Sequence, residues 1–563
     1  MEDKQIVVAA LSPLVAEHLD EGKISQLIEK PSNAEHGDLA FPVFQLAKAF
    51  RKAPNLIAQE LVEKIDGAHF DKVEAVGPYI NFFLNRKEKS NEIISQVIKE
   101  DSHYGEVDLG HGGTVVLDYS SPNIAKPMSM GHLRSTVIGN SLDLMHQKMN
   151  YKTVSVNHLG DWGTQFGKLI VAYKGWGDEA TVRKDPVNEL VKLYVEFHEK
   201  SEEDPSLEDQ GRAAFKKLED GDPEMTELWT WFKDESIKEF EKVYDLMGIS
   251  FDHYTGESFY NDKMEDKLQI LADKGISTVE NGATLVYLDD EELPPALVKR
   301  SDGATLYITR DIATAYYRKE TYNFVKSLYI VGNEQANHFR QLKAILKRMG
   351  NDWSDDMVHI AFGLITLEGK KLSTRKGKIV LLEAVMNEAM ELALEQIEAK
   401  NPDLENKEEV ARQVGVGAVI FHDLKSDRMN SFDFKLSEVI QFEGETGPYV
   451  QYTYARAKSL LEKYGKELKA DEIYELTDEY AWAVIKKLAE YSDTLVAATE
   501  KYEPSMIARY VIQLAQAFNK YYGNVRLLND DDQLAARMAL VKATSIVLKD
   551  GLSLLGVEAP ENM

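Results

Sequence analysis

The pattern of hydrophobic and polar positions changes character along the chain and predicts three kinds of structure. In the first hundred residues, helical spacing over residues 6–19 and 55–65 surrounds a strand-like alternation in GPYINFFLN. From Gly112, β-branched runs such as TVVLDYS and TVSVNHLGDWG alternate with helical patterns, as in βαβ units with a mainly parallel sheet. From about residue 380 the pattern is helical. We therefore predict a multidomain α/β protein.

These changes of pattern divide the chain into four parts. An N-terminal α+β module spans residues 1–107. A Rossmann-like parallel-sheet domain spans 108–380, and acidic, turn-rich sequence at about 166–290 interrupts it as an insertion. A connecting helical segment covers 381–443, and an α-helical bundle covers 444–563.

The last part carries a long helical repeat. Pro448 is well placed to begin a helix, because proline is tolerated in a first helical turn. Near the C-terminus, residues suited to one buried face recur at alternating spacings of four and three, which indicates the seam of a helix bundle. The residues of that seam are Leu534, Met538, Val541, Ser545, Leu548, Leu552 and Leu555.

Composition restricts the class of protein. With 44% hydrophobic and 28% charged residues, the chain is typical of a globular enzyme. It has no cysteine, which excludes disulfides, thiolate metal sites and a cysteine nucleophile, and favours a cytoplasmic location. The start MEDKQIVVAA does not have the pattern of a signal peptide, and no run approaches the roughly 20 apolar residues of a membrane span.

The net charge of −28 argues against indiscriminate binding of nucleic acid. A nucleic-acid ligand would have to be held on segregated basic faces, and its binding would weaken as salt is added.

The segment DYSSPNIAKPMSMGHLRSTVIG, residues 118–139, is the centre of the predicted chemistry. A buried strand, a tight turn and a helix N-terminus follow one another in it, and the N–H groups of a first helical turn bind phosphate. Lys126 and His132 add a charge and a hydrogen-bond donor to this helix N-terminus. Strand–loop–helix units are common, however, and a Gly-His pair by itself is more often structural.

The segment GKKLSTRKGK, residues 369–378, is a second candidate for phosphate handling. It is dense in cations and hydroxyls and follows a predicted strand. Nucleotidyl transfer needs positive charge placed where the pyrophosphate develops its negative charge. A lysine-rich loop alone is more often simply solvated.

The segment YITRD has the side chains that a guanidinium group requires, namely a carboxylate and an aromatic wall. If the segment is a strand, Tyr307, Thr309 and Asp311 lie on one face, and Asp311 lies where the strand meets the next helix. The carboxyl ends of parallel strands are where ligands bind in open sheets. Asp311 could equally be a helix N-cap.

Taken in order, these motifs resemble those of class I aminoacyl-tRNA synthetases, in the arginyl-tRNA synthetase form. SxxGHLRST after PNxxK resembles the first signature, with Ser129 in place of the usual first histidine. The lysine-rich loop resembles the KMSKS signature: Lys371 and Ser373 match, whereas Thr374 replaces the second lysine. The resemblance implies that Lys126 supplies the missing charge.

The resemblance also implies the roles of the site residues. Lys126, His132 and Lys371 would be catalytic, through stabilisation of the transferring phosphate. The ATP-binding residues implied are Ser129, Gly131, His132, His338, Lys371 and Ser373. The arginine-binding residues implied are Asp118, Asn123, Tyr307, Asp311, Gln335 and Glu257. No protein-held metal is expected, and Mg²⁺ would accompany ATP.

Two regions are candidates for contact with tRNA. Tyr79 and Asn81 share a face of a predicted strand, where a ring beside an amide suits an unpaired base. Tyr449 and Arg456, in GPYVQYTYARA, combine stacking with positive charge, although a tyrosine stripe on a helix is often core. Both regions resemble tRNA-contacting parts of arginyl-tRNA synthetases.

The function implied is the joining of arginine to ATP, with release of pyrophosphate, followed by transfer to the 3′-terminal adenosine of tRNA and release of AMP. Family resemblance further implies that activation requires bound tRNA. A monomer that does not enter membranes is expected. Two alternatives stay open: a class I synthetase for another amino acid, such as glutamine or cysteine, and a non-catalytic paralogue that binds tRNA.

Overall fold

The computed structural model describes residues 2–367, 370–371 and 380–563. The α-helices of these residues are α1 (Glu2–Val15), α2 (Glu21–Leu27), α3 (Ala47–Phe50), α4 (Pro54–Val62), α5 (Arg86–Glu100), α6 (Leu133–Lys148), α7 (Thr164–Trp176), α8 (Glu179–Lys184), α9 (Pro186–Glu203), α10 (Ser206–Glu219), α11 (Pro223–Met247), α12 (Glu265–Asp273), α13 (Tyr307–Tyr322), α14 (Ala336–Arg348), α15 (Leu382–Lys400), α16 (Lys407–Leu424), α17 (Leu436–Val439), α18 (Gly447–Tyr464), α19 (Glu479–Ala489), α20 (Tyr491–Glu500), α21 (Ser505–Asn524) and α22 (Leu534–Leu554).

The strands of the same residues are β1 (Leu39–Pro42), β2 (Phe70–Val76), β3 (Tyr79–Leu84), β4 (Thr114–Asp118), β5 (Lys152–Val156), β6 (Thr278–Glu280), β7 (Ala283–Leu288), β8 (Leu293–Lys299), β9 (Lys326–Ile330), β10 (Met357–Ile360), β11 (Ile365–Leu367), β12 (Lys370–Lys371) and β13 (Phe432–Phe434).

The central sheet is parallel and has the strand order β10-β9-β4-β5 in the described part of the chain. Strand β4 is its buried middle: Val116 pairs with Val154 on one side and with Ser327 on the other. The chain passes from β4 to β5 on one side and later returns to β9 on the other. Strands β4 and β9 therefore flank a topological switch point, where ligands bind beyond the carboxyl ends of the strands. The predicted multidomain α/β class with a parallel sheet is confirmed.

Helix α6 follows β4 as predicted. The apolar side chains of Leu133, Val137, Leu142 and Met145 are all buried, so the face expected from their spacing packs into the core. This packing fixes the N-terminus of the helix beyond the end of β4.

The region between β5 and β9 contains helices α7 to α12 and an antiparallel sheet of order β6-β7-β8. The next segment corrects the sequence analysis: YITRD begins helix α13 and is not a strand. Ile308 and Ile312, one turn apart, are both buried, and this helical spacing overrides the β propensity of the tyrosine, isoleucine and threonine.

The chain forms two compact units. The first contains Met1–Gly105, Arg456–Asp493 and Gln513–Leu548, so it is built from segments near both ends of the sequence. Within it, the Trp482 indole donates to Asp38 at 3.0 Å, and the Tyr104 hydroxyl donates to the Leu488 carbonyl at 2.8 Å. The second unit contains Glu106–Ala455, Thr494–Ile512 and Lys549–Met563, and includes the parallel sheet.

The C-terminal helices bear out the predicted seam. Six of its residues are buried, from Met538 to Leu555, and Leu534 is half-buried at the start of α22. Pro448 is the second residue of α18. Among the helices of the described residues, none is long and apolar enough to cross a membrane.

Candidate active site

The loop from β4 to α6, residues 119–132 and called the first loop below, lies at the switch point of the sheet. It ends in a short 3₁₀ turn, Met130–His132, that leads directly into α6. Ser129 caps this turn: its hydroxyl accepts from the Gly131 N–H at 3.3 Å. The exposed Gly131 and the half-buried His132 form the mouth of the helix, and the Lys126 side chain is exposed in the same loop.

The hydrogen bonds of His132 define which ring nitrogen carries the proton. The Ser129 backbone N–H donates to Nδ1 of His132 at 3.1 Å, so Nδ1 is the unprotonated nitrogen. Burial holds the pKa of His132 below its usual value, and the charge of Lys126 lowers this pKa further. At neutral pH the ring is therefore neutral, and its Nε2–H is a donor.

Ser129, which stands where the signature usually has its first histidine, contacts the second histidine of that signature, His132. Its hydroxyl lies 3.3 Å from His132 Nδ1, and its backbone orients that ring. Ser129 thus positions His132, and its contact with ATP stays a prediction.

The residues that flank the second loop, 369–378, bond to Arg134 of α6 and to Met130 of the first loop. On its N-terminal side, the Arg134 guanidinium donates to the Gly363 carbonyl at 3.0 Å. On its C-terminal side, the Met130 N–H donates to the Val380 carbonyl at 2.9 Å. Strand β12 contains Lys371, whose backbone pairs with Thr366. The side chain of Lys371 and the whole of Ser373 lie outside the described residues.

Arg134 is a functional candidate to which the sequence analysis gave no role, although it is the last residue of GHLR. The residue is 1% exposed, and Nη1 also donates to the Asn430 carbonyl at 2.8 Å. Its Nε lies 3.5 Å from an oxygen of the buried Asp423. Burial raises the pKa of Asp423 to about 6, and the Arg134 charge opposes this rise. The signal that could have identified it is a charged residue next to Leu133, at the start of a helix whose first turns are buried.

Four carboxylates lie near the carboxyl ends of β4 and β5. Asp118, the last residue of β4, forms an ion pair with the buried Arg318 at 2.9 Å. Asp161 is buried and pairs with Lys233 at 2.7 Å. Asp311 accepts from His338 Nε2 at 2.5 Å when that nitrogen carries the proton.

Glu257 is the fourth carboxylate. Burial raises the pKa of Glu257 to about 7; Arg310 opposes this rise, whereas Asp161 and Asp311 add to it. A carboxyl group with this pKa is poised to bind a cation, because a bound positive charge would favour its ionised form.

Because YITRD is helical, the residues predicted to share a strand face do not all lie together. Two of them, which were predicted to bind a guanidinium, still lie on one face of α13. Tyr307 and Asp311 are four residues apart and so lie on one helix face, with Tyr307 68% exposed. Thr309 is directed elsewhere: it is buried and donates to the Val298 carbonyl. The expectation that Asp311 lies at a strand end is wrong, since Asp311 is the fifth residue of the helix.

Asn123 and Gln335 both lie at loops that follow strands of the sheet. Asn123 forms a bridge with Gly160, and a Cβ at Gly160 would meet the Asn123 Oδ1 at 1.8 Å. Glycine at this position thus permits the close approach. Gln335 is exposed at the end of a 3₁₀ turn after β9.

The predicted tRNA-contacting residues have different environments. Tyr79 is half-buried, with its ring 5.8 Å from that of Phe44, whereas Asn81 is buried at 2% exposure. Arg456 donates to Asn519 at 2.6 Å and lies over the Tyr522 ring at 4.5 Å. Tyr449 lies in the first turn of α18. The roles of these residues stay predictions.

Comparison with known proteins decides the family. The protein-family model described as tRNA synthetases class I (R), catalytic domain, matches residues 93–436. The arginyl tRNA synthetase N terminal domain matches residues 2–84, and the DALR anticodon binding domain matches 450–563. An arginine–tRNA ligase of Enterococcus faecalis is 60% identical over 563 residues, which is 100% of both chains. The chain belongs to the arginine–tRNA ligase family.

Other similarities agree with this family. An arginine–tRNA ligase of Latilactobacillus sakei is 58% identical over 100% of both chains. A solved arginyl-tRNA synthetase of Thermus thermophilus has the same fold, with a TM-score of 0.79, 24% identity and 100% coverage of both chains. As an arginine–tRNA ligase the chain is an ATP-using enzyme that acylates tRNA with arginine. Both alternatives left open by the sequence are thereby set aside.

Proposed function

We propose that this arginine–tRNA ligase forms arginyl-adenylate at the switch point between β4 and β9, with Lys126, His132 and Lys371 acting on the phosphates of ATP. The observation that carries the proposal is that Gly363 and Val380, which flank the second loop in sequence, bond to Arg134 at the start of α6 and to Met130 of the first loop. These contacts support a reaction in which two cation-bearing loops far apart in sequence act on one triphosphate beside the carboxylates.

The chemistry requires alignment and charge rather than a strong base. The carboxylate of arginine is already ionised at neutral pH and attacks the α-phosphorus of ATP as it stands. The bond to pyrophosphate then breaks, and negative charge grows on the phosphate oxygens. The Lys126 ammonium, the Nε2–H of His132 and the N-terminus of α6 would stabilise that charge.

The remaining ATP contacts are proposed for Ser129, Gly131, His338 and Ser373. In this proposal Mg²⁺ arrives with ATP as part of the substrate.

The pocket of carboxylates would bind arginine by charge and shape. Tyr307, Asp311 and Glu257 are proposed for the guanidinium, since a delocalised cation pairs well with carboxylates and stacks on a ring. Asp118, Asn123 and Gln335 are proposed for the amino-acid backbone. The raised pKa of Glu257 supports its part, because such a carboxyl gains most from an incoming cation.

Transfer to tRNA completes the proposed reaction. The 3′-terminal ribose of the tRNA would attack the arginyl carbonyl and release AMP, with Tyr79, Asn81, Tyr449 and Arg456 contacting the tRNA elsewhere. We further propose that tRNA must bind before arginine is activated. The enzyme would act in the cytoplasm as a monomer, with the four-part domain division given by the sequence.

The assay that tests this proposal is ATP–pyrophosphate exchange, run with and without tRNA across the amino acids. Exchange is expected with arginine and only when tRNA is present. Equal exchange without tRNA would contradict the proposed order of binding.

Lys126→Ala is expected to abolish exchange and to leave arginine binding, measured by calorimetry, largely intact. The reason is that the lysine acts on phosphate and not on the amino acid. Lys152→Ala is a matched control, because Lys152 is also exposed but lies at the opposite end of the sheet. Near-normal exchange by the Lys126 variant would refute the role proposed for that lysine.

A further inference from the structure

The backbone of the first loop adopts conformations that side-chain-bearing residues rarely take. Ser120, Ser121 and Ala125 have φ values of +71°, +51° and +59°, all in the left-handed region. Such conformations persist only where the surroundings hold them. The last of the three directly precedes Lys126, so the backbone at Ala125 determines where that lysine projects.

Helix α11 supplies the group that holds Ala125. The hydroxyl of Ser236 accepts from the Ala125 N–H at 2.8 Å and donates to the carbonyl of Phe232 at 2.6 Å. Ser236 is 0% exposed. Because Ala125 and Ser236 are both buried, removal of the hydroxyl would leave a buried N–H without its acceptor.

The same face of α11 also holds the beginning of the first loop. Tyr244 lies eight residues after Ser236, which is about two helical turns. Its hydroxyl lies 2.6 Å from the Ser120 hydroxyl and accepts from the Asn157 amide at 2.9 Å. The side-chain Oδ1 of Asn157 in turn accepts from the Ser121 N–H at 3.1 Å. One helix therefore fixes all three left-handed residues, directly or through one intermediate residue.

We propose that Ser236 and Tyr244 are positioning residues for arginine activation: they make α11 a template that fixes the first loop and aims Lys126 at the phosphates of ATP. Neither hydroxyl is assigned a contact with substrate, so both act through the loop. This inference rests on the role proposed above for Lys126. It adds a function for α11, which the sequence analysis treated only as part of an insertion.

The test compares Ser236→Ala with the unaltered enzyme in tRNA-dependent ATP–pyrophosphate exchange. The kcat of exchange is expected to fall by about tenfold or more, because a small misplacement of a catalytic group is enough for such a loss. The KM for arginine is expected to change by less than about twofold, since the arginine pocket keeps its residues. Tyr244→Phe, a second variant that preserves the packing of the ring, is expected to lower kcat in the same way.

Thr499→Ala is the matched control. Thr499 is equally buried, and its hydroxyl makes the same bond to a carbonyl four residues earlier, but it lies on α20. Its kcat of exchange is expected to stay near the value of the unaltered enzyme. An equal fall in kcat for Thr499→Ala would overturn the proposal, because any buried helical hydroxyl would then have this effect.

Lys126→Ala, assayed in parallel, separates this inference from the proposed function. If Lys126→Ala is inactive while Ser236→Ala and Tyr244→Phe keep full kcat, the template role of α11 is refuted and the role of Lys126 stands. If both α11 variants raise the KM for arginine at unchanged kcat, the template role is refuted as well. If Lys126→Ala exchanges normally, the proposed function fails and this inference fails with it.

Discussion

At the scale of single residues, the site depends on groups whose protonation the fold controls. His132 is kept neutral with its proton on Nε2, because Ser129 donates to Nδ1 and burial disfavours the imidazolium. Glu257 is kept close to half-protonated at neutral pH, because burial and two neighbouring carboxylates disfavour its ionised form. The sequence indicated both residues, but their protonation follows from contacts that only the fold brings together.

Arginine binding is expected to strengthen as pH rises toward neutrality. Below about pH 7 the Glu257 carboxyl carries a proton, which must leave before the group can pair with a guanidinium. The dissociation constant for arginine is expected to fall by up to about tenfold per pH unit below this pKa and to level off above it. Calorimetric titration between pH 5.5 and 8 measures the dissociation constant at each pH. Repeating the titration in buffers of different ionisation enthalpy also reports the released proton.

Glu257→Gln provides the control for the pH dependence. The amide is nearly isosteric and does not ionise, so arginine should bind more weakly to the variant and with a flatter pH profile. A slope unchanged by this substitution would assign the titration to another group.

At the scale of secondary-structure elements, the sequence predicted those helices and strands whose hydrophobic pattern is evident within one continuous stretch of the chain. Strand β4 and helix α6 were predicted because a β-branched run and a single helical face are local properties. Helix α13 was mispredicted because its first residues have strand propensities, while its helical burial is evident only over two turns. The contacts of Ser236 with Ala125 and of Arg134 with Gly363 join residues more than one hundred positions apart, and no local pattern reveals them.

Arg134→Lys is expected to lower the free energy of unfolding by about 1–3 kcal/mol, because a lysine cannot reproduce both carbonyl contacts of the guanidinium. It is also expected to reduce exchange, since the N-terminal side of the second loop loses an anchor. Denaturant unfolding and ATP–pyrophosphate exchange measure the two effects. Arg212→Lys serves as the control, because that exposed arginine pairs at the surface with Asp209 and should be nearly neutral.

At the scale of the whole molecule, the net charge of −28 constrains how a polyanion binds. The summed field repels tRNA at long range, so productive contact depends on local cations and on release of counterions from the phosphates. The acidic composition therefore requires that contacts with tRNA be concentrated on limited basic surfaces.

The affinity for tRNA is expected to fall by more than about tenfold when salt rises from 50 to 200 mM, because several phosphate contacts release counterions. The affinity for arginine should fall much less, since its pocket is small and partly desolvated. Filter binding of tRNA and calorimetry of arginine over the same salt series provide the comparison. A tRNA affinity independent of salt would mean that phosphate contacts contribute little.

The composition of the first compact unit has a consequence for how the protein is made. Its N-terminal segment contributes Asp38 and Tyr104, whose partners Trp482 and Leu488 leave the ribosome 444 and 384 residues later, a delay of about 20–90 s at ordinary rates of translation. Until the later segments of this unit are made, the surface of the N-terminal segment that they will cover stays exposed and can contact other chains. We expect this interval to be when a growing polypeptide of this family most depends on chaperones.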